Sequence, residues 1–131
     1  RTSLHLPADA ASVGAARALI RGWSEQNGAD ARQANDMMLA VSEAVTNVVM
    51  HAYPDRDGGG FDLDARSEPG ELVVEVRDDG VGPNAPSRKA GLGLGLVVID
   101  RVSHSATVQD SHPGTHVIIR FRLHARDGRP E

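Results

Sequence analysis

At 131 residues the chain is long enough for one sizeable core and too short for two ordinary domains. Apolar residues supply 40% and charged residues 24%, which excludes a disordered chain, and aromatics at 3% leave the core to Val, Leu, Ile, Ala and Met. A formal charge of −4 argues against general nucleic-acid binding, and the absence of cysteine removes disulfides and thiolate zinc sites and suits a reducing, cytoplasmic setting.

The longest apolar run, Leu94 to Ile99, is too short to cross a bilayer, and no basic-plus-apolar signal segment opens the chain. Because the first residue is Arg1 rather than methionine, a longer native N-terminus is allowed for.

Residues 1–6 read as a short strand with Leu4 and Leu6 on one face, ended by Pro7. Asp9 or Ser12 can cap a first helix running to about Gln26, with Val13, Ala16, Leu19, Ile20 and Trp23 at helical spacing and Gly28 closing it. Asp30 with Gln33 resembles a capping box for a second helix reaching about His51, whose apolar stripe is Met37, Met38, Val41, Ala44, Val45 and Val48. Pro54 and Gly58-Gly59-Gly60 then break the helical pattern.

Strands follow at Phe61–Arg66, Leu72–Arg77 and Val117–Leu123, each alternating apolar with polar or second-face residues. A shorter strand at Ala106–Gln109 lies between a third helix, about 95–104, and the last strand. One-sided alternation predicts a sheet with one buried and one wet face. The fold class expected is therefore α+β: a two-layer sandwich of a mixed, mostly antiparallel sheet with helices packed on one face. Residues 1–125 are read as a single domain and 126–131 as a frayed tail.

Three segments carry chemistry. Glu43, Asn47 and His51 stand four apart on the second helix and form one polar stripe, which by default is a solvated face. The sharper reading gives the Asn47 carboxamide oxygen to Mg²⁺, a hard cation that takes oxygen ligands, and makes Glu43 the acceptor of a proton from whatever attacks a γ-phosphate.

Asp78-Asp79-Gly80-Val81-Gly82 follows a strand directly. Asp and Gly are ordinary turn residues. A carboxylate at a strand end, however, only accepts hydrogen bonds, which matches the exocyclic amine of adenine and mismatches the carbonyl of guanine. Gly80 and Gly82 would let backbone approach a base.

Gly91-Leu92-Gly93-Leu94-Gly95-Leu96 opens a helix, where successive N–H groups and the helix dipole favour a phosphate over a mere hinge. The spacing is neither the dinucleotide fingerprint nor a P-loop. His112 and His116 flank Pro113-Gly114 without a third ligand at metal-like spacing, so zinc is not expected. Gly114-Thr115 reads as a turn that could bring the Thr115 hydroxyl near Asp78.

The order Glu-x-x-x-Asn, Asp-x-Gly-x-Gly, Gly-x-Gly-x-Gly-Leu, then Gly-Thr resembles the GHKL superfamily of ATP-binding domains (gyrase, histidine kinase, MutL). It is most similar to the bacterial anti-sigma-factor serine/threonine kinases, from about Leu4 to Leu123. That resemblance implies Glu43 as general base and Asn47 as Mg²⁺ ligand. It implies Asp78 and Thr115 at the adenine, Gly80 and Gly82 in the first glycine box, and Gly91, Gly93, Gly95 and Leu96 at the phosphates. It further implies ATP as cofactor, a sigma factor and a small anti-anti-sigma antagonist as protein partners, a homodimer, and no direct contact with nucleic acid or membrane.

The segment between the glycine boxes, Pro83–Ala90, is only eight residues, shorter than the usual ATP lid; Arg88 or Lys89 is a candidate to reach the γ-phosphate. Two functions therefore compete: a kinase that doubles as an anti-sigma factor, and a nucleotide-responsive binding module without significant chemistry. The catalytic half of a histidine kinase is a weaker third, since the first two helices belong to the ATP domain itself rather than to a dimerising pair.

Overall fold

A computed structural model describes residues 1–54, 58–84 and 95–124. Strand β1 (Thr2–Pro7) leads into helices α1 (Ala10–Gln26) and α2 (Ala31–Asn47). Strands β2 (Gly60–Glu68) and β3 (Glu71–Asp78) follow, then helix α3 (residues 95–102) and strands β4 (Ser105–Asp110) and β5 (Thr115–Arg122).

The first two helices begin where a side chain replaces a missing backbone partner. Asp9 accepts the Ser12 N–H at 3.0 Å, so α1 starts a little before the expected Ser12 alternative. At α2 the capping box forms in full: Asp30 accepts the Gln33 N–H at 2.8 Å, and the Gln33 side chain accepts the Asp30 N–H at 3.4 Å. The Gln33 amide also donates to the Arg122 carbonyl at 2.9 Å, which ties the start of α2 to the end of β5.

The end of α2 differs from the sequence expectation. Regular α-helix stops at Asn47, and Val48–Ala52 widen into one π turn before Tyr53. Pro54 has no N–H to continue the ladder, so the helical path ends there. Met38, expected in the apolar stripe, is only half-buried, and Ala40 takes its place in the core.

The sheet order is β1-β2-β3-β5-β4, and every described pairing is antiparallel, where the sequence pattern allowed a mixed sheet. The α+β class and the helices on one face stand. The core lies between the layers: Ala16, Ile20 and Trp23 of α1 and Met37, Val41 and Val45 of α2 meet Leu63, Val74, Val76 and Ile119 of the sheet. The C-terminal tail lies outside the described residues.

Candidate functional site

The strand periodicity decides which side of the sheet receives each group. Leu72, Val74 and Val76 of β3 are buried toward the helices, and Asp78 is the next residue of that row. On β5 the same row is Thr115, Val117, Ile119 and Phe121. The β3–β5 register pairs Asp78 directly with Thr115, so acid and hydroxyl stand side by side at the sheet end, on the helix side.

Both are nearly inaccessible: Asp78 is 4% exposed and Thr115 1%. One Asp78 oxygen accepts the Gly80 N–H at 3.0 Å, which bends the chain into its turn.

Asn47, the last residue of α2, is 8% exposed. Its Oδ1, together with the Oγ of Ser111 and the Oγ1 of Thr115, is buried with no hydrogen-bond partner among the described residues. Leaving such an oxygen unmet costs roughly 1–3 kcal/mol, so native proteins rarely tolerate it without a reason. A carboxamide oxygen left over at a helix end is the donor type Mg²⁺ takes, and a hydroxyl left over beside Asp78 suits the polar edge of a base. The residues present therefore fit a magnesium–nucleotide ligand.

Glu43 lies one helical turn before Asn47 and is half-buried. Gly95, the first residue of α3, faces it: a Cβ built on that glycine would sit 3.8 Å from Glu43 Oε2. The last glycine of the alternating run is thus at the carboxylate, and Leu96 is half-buried in the first turn of α3. Gly91 and Gly93, and the Arg88 and Lys89 candidates, lie outside the described residues.

The first glycine box answers partly to the protein itself. A Cβ on Gly80 would fall 2.1 Å from the Ala52 carbonyl oxygen, an impossible distance, and that carbonyl accepts the Val81 N–H at 2.9 Å. Gly82 adopts φ +88°, which disfavours any residue with a side chain. Gly114 closes the arrangement from the β4–β5 turn, packed with φ +95° directly on the Asp78 carbonyl.

Ser111 belongs to none of the motifs read from the sequence. In the structure it borders a cleft of about 550 Å³ shared with His5, Asp62, Arg77 and Asp79. His116, set aside as a zinc ligand, lies on the open face of the sheet, where it meets Glu75 and Arg77. No helix among the described residues is long and apolar enough to cross a membrane.

Comparison with known proteins points the same way as the geometry. The model of the histidine kinase-like ATPase domain matches residues 6–121. An anti-sigma F factor of Clostridium acetobutylicum is 32% identical over 120 residues, covering 82% of this chain and 83% of that protein. The serine-protein kinase RsbW of Listeria monocytogenes is 31% identical over 93 residues, covering 71% of this chain and 59% of the kinase.

Among solved structures, the RsbU and RsbW domains of a Mycobacterium tuberculosis protein match 94% of this chain with a TM-score of 0.74 and 25% identity; this chain spans 33% of that one. From residue 6 to residue 121, then, this chain is a member of the histidine kinase-like ATPase domain family.

Proposed function

We propose that this protein is an ATP-dependent serine/threonine protein kinase that also sequesters a sigma factor. The single observation that carries the reading is the set of unmet oxygens on Asn47 and Thr115, on the same side of the sheet as Asp78 and with Glu43 against the start of α3. The anti-sigma and serine-kinase names of its relatives support the same direction.

In this reading Asp78 and Thr115 take the adenine edge, and the backbone around Gly91, Gly93, Gly95 and Leu96 holds the phosphates. Gly80 and Gly82 let the base-binding turn close. Asn47 holds Mg²⁺, which when bound offsets charge on the phosphate oxygens.

The substrate is a hydroxyl on a small anti-anti-sigma protein. Glu43 accepts the proton as that oxygen bonds to the γ-phosphorus in line with the departing ADP, whose bridging oxygen keeps the bond electrons. The assembly is read as a cytoplasmic homodimer. A sedimentation mass of one chain would remove the dimer from this account.

The test is transfer of labelled phosphate from ATP to candidate antagonists by wild type and Glu43→Ala. Loss of a positioned general base lowers transfer by about a hundredfold or more, while ATP affinity measured by calorimetry stays within about twofold. Unchanged transfer in the variant removes Glu43 from the mechanism. The eight residues of Pro83–Ala90 favour one alternative, a nucleotide-responsive binding module. Such a module binds ATP in the same calorimetry and transfers no label to any antagonist.

A further inference from the structure

Tyr53 follows the π turn immediately and meets three chain segments at once. Its ring lies flat on the glycine run: a Cβ built on Gly59 would sit 2.4 Å from the ring atoms, so only glycine lets the two approach. Its hydroxyl touches the Gly60 carbonyl at the start of β2, the Asp79 carboxylate at 2.7 Å and the Asp79 N–H at 3.3 Å.

A phenol has one proton to give and lone pairs to receive. The Asp79 N–H donates to it, and its own proton goes to Gly60 or to Asp79. Burial, then the hydrogen bond to the Asp79 carboxylate, holds the phenol above the usual tyrosine range, so it stays a neutral donor.

One residue earlier, the Ala52 carbonyl accepts the Val81 N–H at 2.9 Å across the gap that Gly80 leaves. Two adjacent residues at the end of the helix thus grip both ends of the Asp79–Val81 turn. The neighbour of Asp79 is Asp78, whose carboxylate orientation is set by its own bond to the Gly80 N–H inside that turn.

We infer that Tyr53 is a positioning residue for base recognition: its hydroxyl locks the Asp78–Gly80 turn to the helix carrying Glu43 and Asn47. The carboxylate and the catalytic helix are thereby held at one spacing. This rests on the reading that Asp78 accepts the adenine amine, and it adds the group that holds Asp78 in place for that purpose.

The experiment compares calorimetric affinities for ATP and for purine riboside triphosphate, which differ only by the exocyclic amine, in wild type, Tyr53→Phe, Asp79→Ala and the double variant. Phenylalanine keeps the ring on Gly59 and removes only the hydroxyl. Wild type prefers ATP about tenfold or more, the range expected for one hydrogen bond to a charged group. In Tyr53→Phe the preference falls to about threefold or less, Asp79→Ala falls likewise, and the double variant falls no further.

A purely structural tyrosine would lower the melting temperature and weaken both nucleotides equally; a preference unchanged in both single variants overturns the inference while leaving Asp78 its role. A wild type that does not distinguish the two nucleotides overturns the Asp78 reading and this inference with it. Should Tyr53→Phe fail to fold, exposed Asp79 still reads the same contact from its other side.

Discussion

The two faces of this sheet are finished in opposite ways. Toward the helices the rows are apolar until they reach Asp78 and Thr115, and there the Thr115 hydroxyl, like the carboxamide oxygen of Asn47 at the end of α2, meets no hydrogen-bond partner among the described residues. On the open face the charges are matched along and across strands. Arg66 reaches Glu75 and Glu68, Arg120 reaches Glu71 at 2.6 Å and Glu68 at 3.3 Å, and Arg1 reaches Asp64 at 3.3 Å.

Val73 is fully buried on that open side, where the register sets it between Arg66 and Arg120, long side chains able to cover an apolar neighbour. His116 shows how closely this face is arranged. Its Nδ1 faces the Arg77 guanidinium at 3.1 Å, so that nitrogen must accept, and the protonated Nε2 then donates to Glu75. Among the described residues, the ion pairs of the open face and the unmet oxygens of Asn47 and Thr115 on the helix side separate scaffold from site more clearly than charge density does.

Three substitutions put that contrast at risk. The largest effect is expected from Gly80→Ala, which forces a methyl into the Ala52 carbonyl and pushes the π turn away from the base-binding turn. We expect a loss of about 2–3 kcal/mol and a melting temperature lower by roughly 10 °C, with nucleotide binding lost in parallel. A variant that melts with wild type would show that the close approach is not a packing constraint.

Thr115→Val is the sharper probe of the helix-facing side. Valine keeps the shape and removes an unmet hydroxyl, so the nucleotide-free protein gains about 1 kcal/mol in denaturant titration while ATP affinity falls by severalfold. Reduced stability in that variant would mean the hydroxyl is satisfied in solution.

The smallest effect is reserved for the open face. Burial alone would raise the Glu75 carboxyl, but hydrogen bonds from Arg66 and His116 outweigh it and hold the group below the usual glutamate range. A depressed folded value means the contribution is present at neutral pH and is lost as pH falls through that value, in acid below about pH 4. Glu75→Gln therefore costs about 1 kcal/mol at pH 7, and its difference from wild type narrows toward pH 3, with ATP affinity untouched. A gap that stays constant with pH would exclude the ion pairs as its origin.

Much of this architecture is legible in the chain because it is written in short-range patterns. The Asp30–Gln33 capping box, the alternation of β3 and β5, and the strand-end position of Asp78 all follow from spacing alone. What is not legible depends on contacts between distant residues. Gly80 looks like a turn glycine until Ala52 is seen pressing on it, and nothing near Ser111 in the sequence signals that its hydroxyl is buried. The all-antiparallel pairing and the Arg66–Glu75 and His116–Glu75 ties likewise need the register, which no local period specifies.

The π turn at Val48–Ala52 turns a short stretch of chain into a spacer whose residue count matters more than its side chains. An α-helix advances about 100° and 1.5 Å per residue, so trimming one residue here would swing the Ala52 oxygen round the axis and away from Val81. Among related chains the interval from Asn47 to Tyr53 should therefore keep its size.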